Sequence, residues 1–196
     1  LKFADGSSVP LDTNGWQYRE VPRDIGTPPL APWLTVSGKT TLYNGMIAPL
    51  GHYAFRGALW YQGESNTGEA DQYRRLLEAY RDDLRALFGA KLPLLIVKRS
   101  SYGPAPTKPA ESGWAGVREA ERLVAAEDPH SALAVAVDIG ERYDIHPANK
   151  QELGRRLARA ARHVVYGESL SPSGPLPVAA TREGDTVAVS FSDVTG

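Results

Sequence analysis

The chain has 196 residues, with 22 basic and 23 acidic side chains, a formal net charge of -1 and no cysteine. That balance leaves no basic footprint for nucleic acid or an anionic membrane, and the missing thiols exclude disulfides, thiolate zinc sites and a cysteine nucleophile. At 42% hydrophobic and 23% charged residues the composition suits a globular protein with one substantial core, and no apolar run reaches the roughly 20 residues that cross a bilayer.

Residues 1–38 are rich in Pro, Gly and Asp, with Pro28-Pro29 and Pro32 breaking any helix. Only Trp16-Gln17-Tyr18-Arg19 alternates like a short strand. This stretch reads as the irregular tail of an inserted β element. Leu1-Lys2-Phe3-Ala4-Asp5-Gly6 is neither a signal peptide nor a start at methionine. A processed or cut chain is expected, so the missing signal says little about export; the expected setting is secreted or periplasmic.

From residue 40 the pattern changes. Arg56–Tyr61 is a short apolar run followed by Gln62-Gly63-Glu64-Ser65-Asn66. A helix is predicted over 69–88, with Tyr73, Leu76, Leu77, Tyr80, Leu84, Leu87 and Phe88 at three- and four-residue steps and Gly89 as its stop. Leu92–Val97 has the near-continuous apolar character of a strand buried on both faces. A Pro-rich loop over 102–110 leads to a second helix over 112–126, and Ala132–Val137 forms a third buried strand ending at Asp138.

A third helix is predicted to open at Pro147 and run to Tyr166, with Gly167 just past its end. Three strand–loop–helix units imply right-handed crossovers and an α/β three-layer sandwich with a parallel sheet. Pro172, Pro175 and Pro177 then interrupt the chain, and Asp185–Phe191 alternates like the first strand of a further β domain. The expected organisation is 1–38 irregular, 39–168 α/β core, and 169–196 linker and start of a β domain.

Ligands of open parallel sheets bind beyond the carboxyl ends of the strands, which selects the loops at 62–68, 98–110 and 138–147. In the first, Gly63 permits close backbone approach, and Gln62 offers a neutral amide donor suited to a developing oxyanion. Ser65 sits where a strand-to-helix nucleophile elbow would lie. Ser65, Asn66 and Glu69 also fit a plain helix start, which the spacing alone favours. In the third, His146 is preceded by Asp144, a carboxylate able to orient the imidazole of a general base. The alternative is a surface histidine beside a chance aspartate. His52, His130 and His163 have no such setting, and no histidine pair has metal-ligand spacing. No metal or other cofactor is expected.

Three segments together resemble the sialate O-acetylesterase family of the SGNH-hydrolase superfamily: Leu42-Tyr43-Asn44-Gly45-Met46-Ile47-Ala48-Pro49-Leu50; Trp60-Tyr61-Gln62-Gly63-Glu64-Ser65-Asn66; and Asp144-Ile145-His146-Pro147 with Asn149-Lys150. The resemblance covers residues 40–166. It implies a flavodoxin-like fold and removal of O-acetyl groups from sialic acid or related glycans through a serine acyl-enzyme. On that resemblance His146 is the base, Gln62 the oxyanion donor, Glu64 a brace for its loop, and Asn44, with Gly63, part of the substrate pocket. Superfamily members usually place the acid three residues before the histidine, where this chain has Tyr143. The acid is therefore either Asp144 or Asp138.

The family's nucleophilic serine follows its first strand, in a Gly-Gln-Ser-Asn-like motif upstream of the Tyr-Asn-Gly-Met segment. No such motif precedes residue 40 here; Ser7 and Ser8 follow a glycine without a strand. The resemblance thus implies that a separate upstream segment or polypeptide carries the nucleophile and is this chain's partner, alongside the acetylated sugar. Two other readings stay open: Ser65 as the nucleophile, or a noncatalytic sugar-binding or scaffold fragment.

Overall fold

The computed structural model describes residues 5–8, 38 and 40–194. The strand expected at Trp16–Arg19 lies outside the described residues. The chain divides into two units, Leu1–Leu50 and Gly51–Gly196, each considered by itself. In the first, Tyr43–Ile47 forms a π-helical turn that runs into a 3-10 turn at Ala48–Leu50.

The second unit opens with β1 (Ala58–Trp60), followed by α1 (Ala70–Phe88), β2 (Leu94–Lys98), α2 (Gly113–Ala126), β3 (Ser131–Val135) and α3 (Lys150–Val164). β1, β2 and β3 form a parallel sheet in that order, with Ala58 opposite Leu94 and Leu94 opposite Ser131. Parallel strands need long crossovers, and α1 and α2 supply them.

Side chains alternate along β2. Leu94 and Ile96 pack with Tyr73, Leu77 and Leu84 of α1 and with Val117, Ala120 and Val124 of α2. Leu95 and Val97 face the other way, Leu95 against Ala160 and Val97 against Leu153 of α3. Helices therefore cover both faces of the sheet, which is the expected three-layer α/β sandwich. Each fully buried Leu, Ile or Val contributes about 1.5–3 kcal/mol.

Several element limits differ from expectation for identifiable reasons. Leu76 and Leu87 of α1 are exposed, since the helical period places them at the margin of the face that Tyr73, Leu77 and Leu84 bury. Ser112 caps α2 by accepting from Ala115 N–H. α3 starts at Lys150, not Pro147, because the Asn149 side chain accepts from the Glu152 N–H and ends the preceding loop. At its other end α3 stops at Val164, and Gly167 takes a left-handed conformation.

The tail contains two strands where one was expected. β4 (Leu176–Glu183) and β5 (Thr186–Ser192) pair as an antiparallel hairpin. Pro177 lies within β4 beside a register shift between Pro177 and Ala179, where the lost N–H donor is tolerated. The strand expected at 185–191 is thus the second of a pair. Among the described residues no helix is long and apolar enough to cross a membrane.

Candidate active site

Because β1, β2 and β3 run parallel, their carboxyl ends deliver Gln62, Arg99 and the residues after Val135 to one side of the sheet. The loops there are laced together. Ser101 Oγ donates to the Val137 carbonyl at 2.6 Å, and Gly103 N–H donates to the Arg142 carbonyl at 3.1 Å. Gly140 lies so close to Ser101 that an added Cβ would fall 2.1 Å from its carbonyl oxygen. A glycine is required there for close approach, since its φ of -80° is ordinary.

Tyr61, Gln62, Glu64, Ser65, Ile145, His146, Pro147 and Lys150 line a cleft of about 490 Å³ at this edge. The first and third loops, selected from the sequence, therefore meet round one opening. Tyr61 links this wall to the second loop, its hydroxyl 3.2 Å from Ser100 Oγ. The Lys150 ammonium lies 4.9 Å from the Tyr61 ring centroid, within reach of a cation–π contact.

The Gln62 side of the cleft stands on buried charge. Tyr73 hydroxyl and Arg99 Nη2 donate to the Gln62 carbonyl at 2.6 and 2.7 Å. Arg99 pairs with Glu121 at 2.6 Å, and both side chains are 0% exposed. Burial pushes the Glu121 carboxyl up to about 7, against the opposing pull of Arg99. The Tyr73 hydroxyl is also pushed up by burial, so it remains a donor. Gly63 takes a φ of +131°, a conformation that L side chains rarely adopt. A Cβ there would lie 2.2 Å from Arg99 Nη2 and 2.6 Å from Tyr73 Cε2.

Residues 64–66 form a 3-10 turn. Glu64 folds back so that Oε2 accepts the Gly63 N–H at 2.9 Å, and Gln62 Nε2 donates to Asn66 Oδ1 at 3.3 Å. Neither Ser65 nor Asn66 caps α1. Glu69 occupies the cap position without a side-chain bond to the helix. Ser65 is exposed and lines the cleft.

The His146 side is open. Asp144 Oδ1 accepts the His146 N–H at 2.8 Å and lies 3.5 Å from Nδ1. The two side chains are 64% and 88% exposed. Asp138 is engaged elsewhere, its carboxylate taking Arg156 Nη1 and Nη2 at 2.5 and 2.7 Å. That fork holds the Asp138 carboxyl below the usual range. Asn44 lies in the other unit, where its Nδ2 donates to Thr40 Oγ1 at 3.3 Å. His163 sits in the last turn of α3 with Nδ1 3.2 Å from the Glu168 carbonyl. Among the described residues no three His, Cys, Asp or Glu side chains gather into a metal-holding cluster.

Arg99, Tyr73 and Glu121 were not singled out by the motifs. A signal exists for Glu121: it lies four residues after Val117 and three before Val124, on the inner face of α2. A carboxylate on that face needs a buried partner, and Arg99 follows the apolar strand directly.

A family model described as carbohydrate esterase, sialic acid-specific acetylesterase, matches residues 19–163. The chain is similar to the sialate O-acetylesterase of Mus musculus, with 33% identity over 76% of this chain and 31% of that protein. The human sialate O-acetylesterase is 32% identical over 74% of this chain and 32% of its own length. The crystal structure of a carbohydrate acetylesterase from Xanthomonas citri aligns with a TM-score of 0.69 and 40% identity, covering 78% of this chain and 36% of that one. The chain thus spans about a third of the length of these relatives.

Proposed function

The chain belongs to the sialic acid-specific acetylesterase family of carbohydrate esterases, and from that premise we propose that it forms the base and oxyanion half of a serine esterase that removes O-acetyl groups from sialic acid or a related glycan. The observation that carries this reading is the shared cleft: Gln62, an amide donor, and His146, a base with a carboxylate beside Nδ1, line the same opening.

In the proposed reaction a serine Oγ attacks the acetyl carbonyl carbon while His146 takes the hydroxyl proton. The carbonyl oxygen becomes an oxyanion and receives a hydrogen bond from Gln62 Nε2. Collapse expels the sugar oxygen, which takes the proton from His146, and leaves acetyl-serine. Water then attacks the acetyl carbon as His146 takes its proton, and collapse releases acetate while the serine oxygen takes that proton back. Asp144 orients the imidazole, since Asp138 is committed to Arg156. Glu64 braces the oxyanion loop through the Gly63 N–H.

The nucleophile is assigned to a separate upstream segment. β1 pairs with β2 and with no second strand among the described residues, and its Leu59 is 63% exposed. A parallel strand added at that edge would end beside Gln62, and parallel sheets are ordinarily covered on both faces. A secreted or periplasmic setting suits an acetylated-glycan substrate and is part of this proposal.

The test is His146→Ala in the native enzyme, assayed on p-nitrophenyl acetate and on O-acetylated sialic acid. Turnover should fall about 10³-fold on both; unchanged turnover would remove His146 from the mechanism. Ser65 lines the same cleft as His146, which favours a second reading with Ser65 as nucleophile. Ser65→Ala separates the two, since only that second reading requires turnover to collapse.

A further inference from the structure

The peptide joining Gln62 to Gly63 is held at both of its polar atoms. Its carbonyl oxygen receives Tyr73 Oη–H at 2.6 Å and Arg99 Nη2–H at 2.7 Å, and its N–H is given to Glu64 Oε2 at 2.9 Å. Two donors fill both lone pairs of one carbonyl.

Each donor is itself held. Trp60 Nε1 donates to the Tyr73 hydroxyl at 3.0 Å. Glu121 takes Arg99 Nη2 on one oxygen at 2.6 Å and the Arg99 backbone N–H on the other at 3.1 Å. Arg118 donates to the carbonyls of Arg99 and Ser100 at 3.0 and 2.8 Å. The guanidinium carbon lies 5.0 Å from the Tyr73 ring centroid, and Arg99 Nε and Nη1 have no hydrogen-bond partner among the described residues.

A fully buried arginine with two unpartnered nitrogens is an expensive way to fill a core. An aliphatic side chain would serve packing better. What the arginine supplies that an aliphatic cannot is a charged donor aimed at one backbone oxygen, directly under the glycine whose missing Cβ leaves room for it.

We propose that Arg99 and Tyr73 are positioning residues for the deacetylation step, fixing the Gln62–Gly63 peptide plane so that the Gln62 amide meets the acetyl oxyanion. This rests on the reading of Gln62 as oxyanion donor. An oxyanion donor helps only when preorganised, because a donor that must reorient loses its advantage over water. Loosening the plane should therefore lower kcat and leave KM nearly unchanged.

The experiment measures kcat and KM on p-nitrophenyl acetate for the native enzyme and for Gln62→Ala, Tyr73→Phe, Arg99→Lys and the double variants with Gln62→Ala. Competent sites are counted by phosphonate titration, so that any unfolded fraction is removed from kcat. Gln62→Ala should lower kcat about 10²-fold, Arg99→Lys about tenfold and Tyr73→Phe about threefold, with KM within twofold throughout. Each double variant should be no slower than Gln62→Ala alone. Tyr73→Phe removes a single oxygen and carries the test by itself if Arg99→Lys does not fold.

The proposal is overturned if Gln62→Ala slows turnover while Tyr73→Phe leaves it unchanged, or if the doubles lose the product of the single effects. A silent Gln62→Ala would instead overturn the oxyanion reading, and the positioning role with it.

Discussion

The two walls of the cleft are built in opposite ways. The Gln62 wall rests on Arg99 and Glu121, both fully buried, with Gly63 in a conformation that leaves no room for a side chain. The His146 wall stands in solvent, with His146 88% and Asp144 64% exposed and a single short backbone bond between them. On the function proposed above, the difference separates two requirements of acyl transfer. An oxyanion donor must already be in place when charge develops. A base that carries a proton between serine, sugar and water needs access to each of them.

The largest expected effect comes from attacking the buried wall at its tightest point. Gly63→Ala puts a methyl group into Arg99 and Tyr73 and forces a φ that alanine avoids. It should destabilise the fold by about 3 kcal/mol or more and abolish measurable turnover, read by thermal unfolding and by esterase assay. A wild-type melting curve would mean that the loop is softer than its packing indicates.

The next effect sharpens the electrostatics of that wall. Burial raises Glu121 to about 7, above its unfolded value near 4.3. A raised acid contributes stability that is fully present below the unfolded pKa and is lost as pH rises through the folded one. Wild type should therefore lose stability relative to Glu121→Gln between about pH 4.5 and 7, by at most about 4 kcal/mol. Urea unfolding of both proteins across that range measures it. Parallel pH profiles would show that Glu121 does not titrate there.

Smaller effects are expected on the open wall. Asp144→Asn should reduce kcat about tenfold, because it removes a carboxylate beside an imidazole that bulk water also solvates. Thermal stability should stay within about 0.5 kcal/mol, as for other exposed substitutions. The smallest effect is Asp138→Asn, which loosens the fork to Arg156 and should leave kcat within twofold. If the two substitutions exchanged their effects, Asp138 would be the acid.

The fold was readable where period and burial coincide. The run at Leu92–Val97 marked a strand covered on both faces, and Tyr73, Leu77 and Leu84 marked the inner face of α1. Legibility failed where one residue type serves two purposes. Pro147 resembles a helix start, yet Asn149 provides the side-chain acceptor that begins α3. Pro177 resembles a break, yet β4 runs through it at a register shift.

The site divides in the same way. The lining at Gln62-Gly63-Glu64 and at Asp144-Ile145-His146 was legible, because each is a short-range pattern in a loop that precedes a helix. Its foundation was not, because Arg99 and Glu121 are 22 positions apart and meet only once β2 and α2 are packed.

On the proposed function, this chain supplies base and oxyanion donor to a serine on another segment. Labelling the native enzyme with a serine-reactive phosphonate, followed by peptide mapping, tests it most directly. The label is expected on a serine of a peptide outside residues 1–196, with labelling slowed in His146→Ala. A label on Ser65 would contradict it and make this chain the bearer of its own nucleophile.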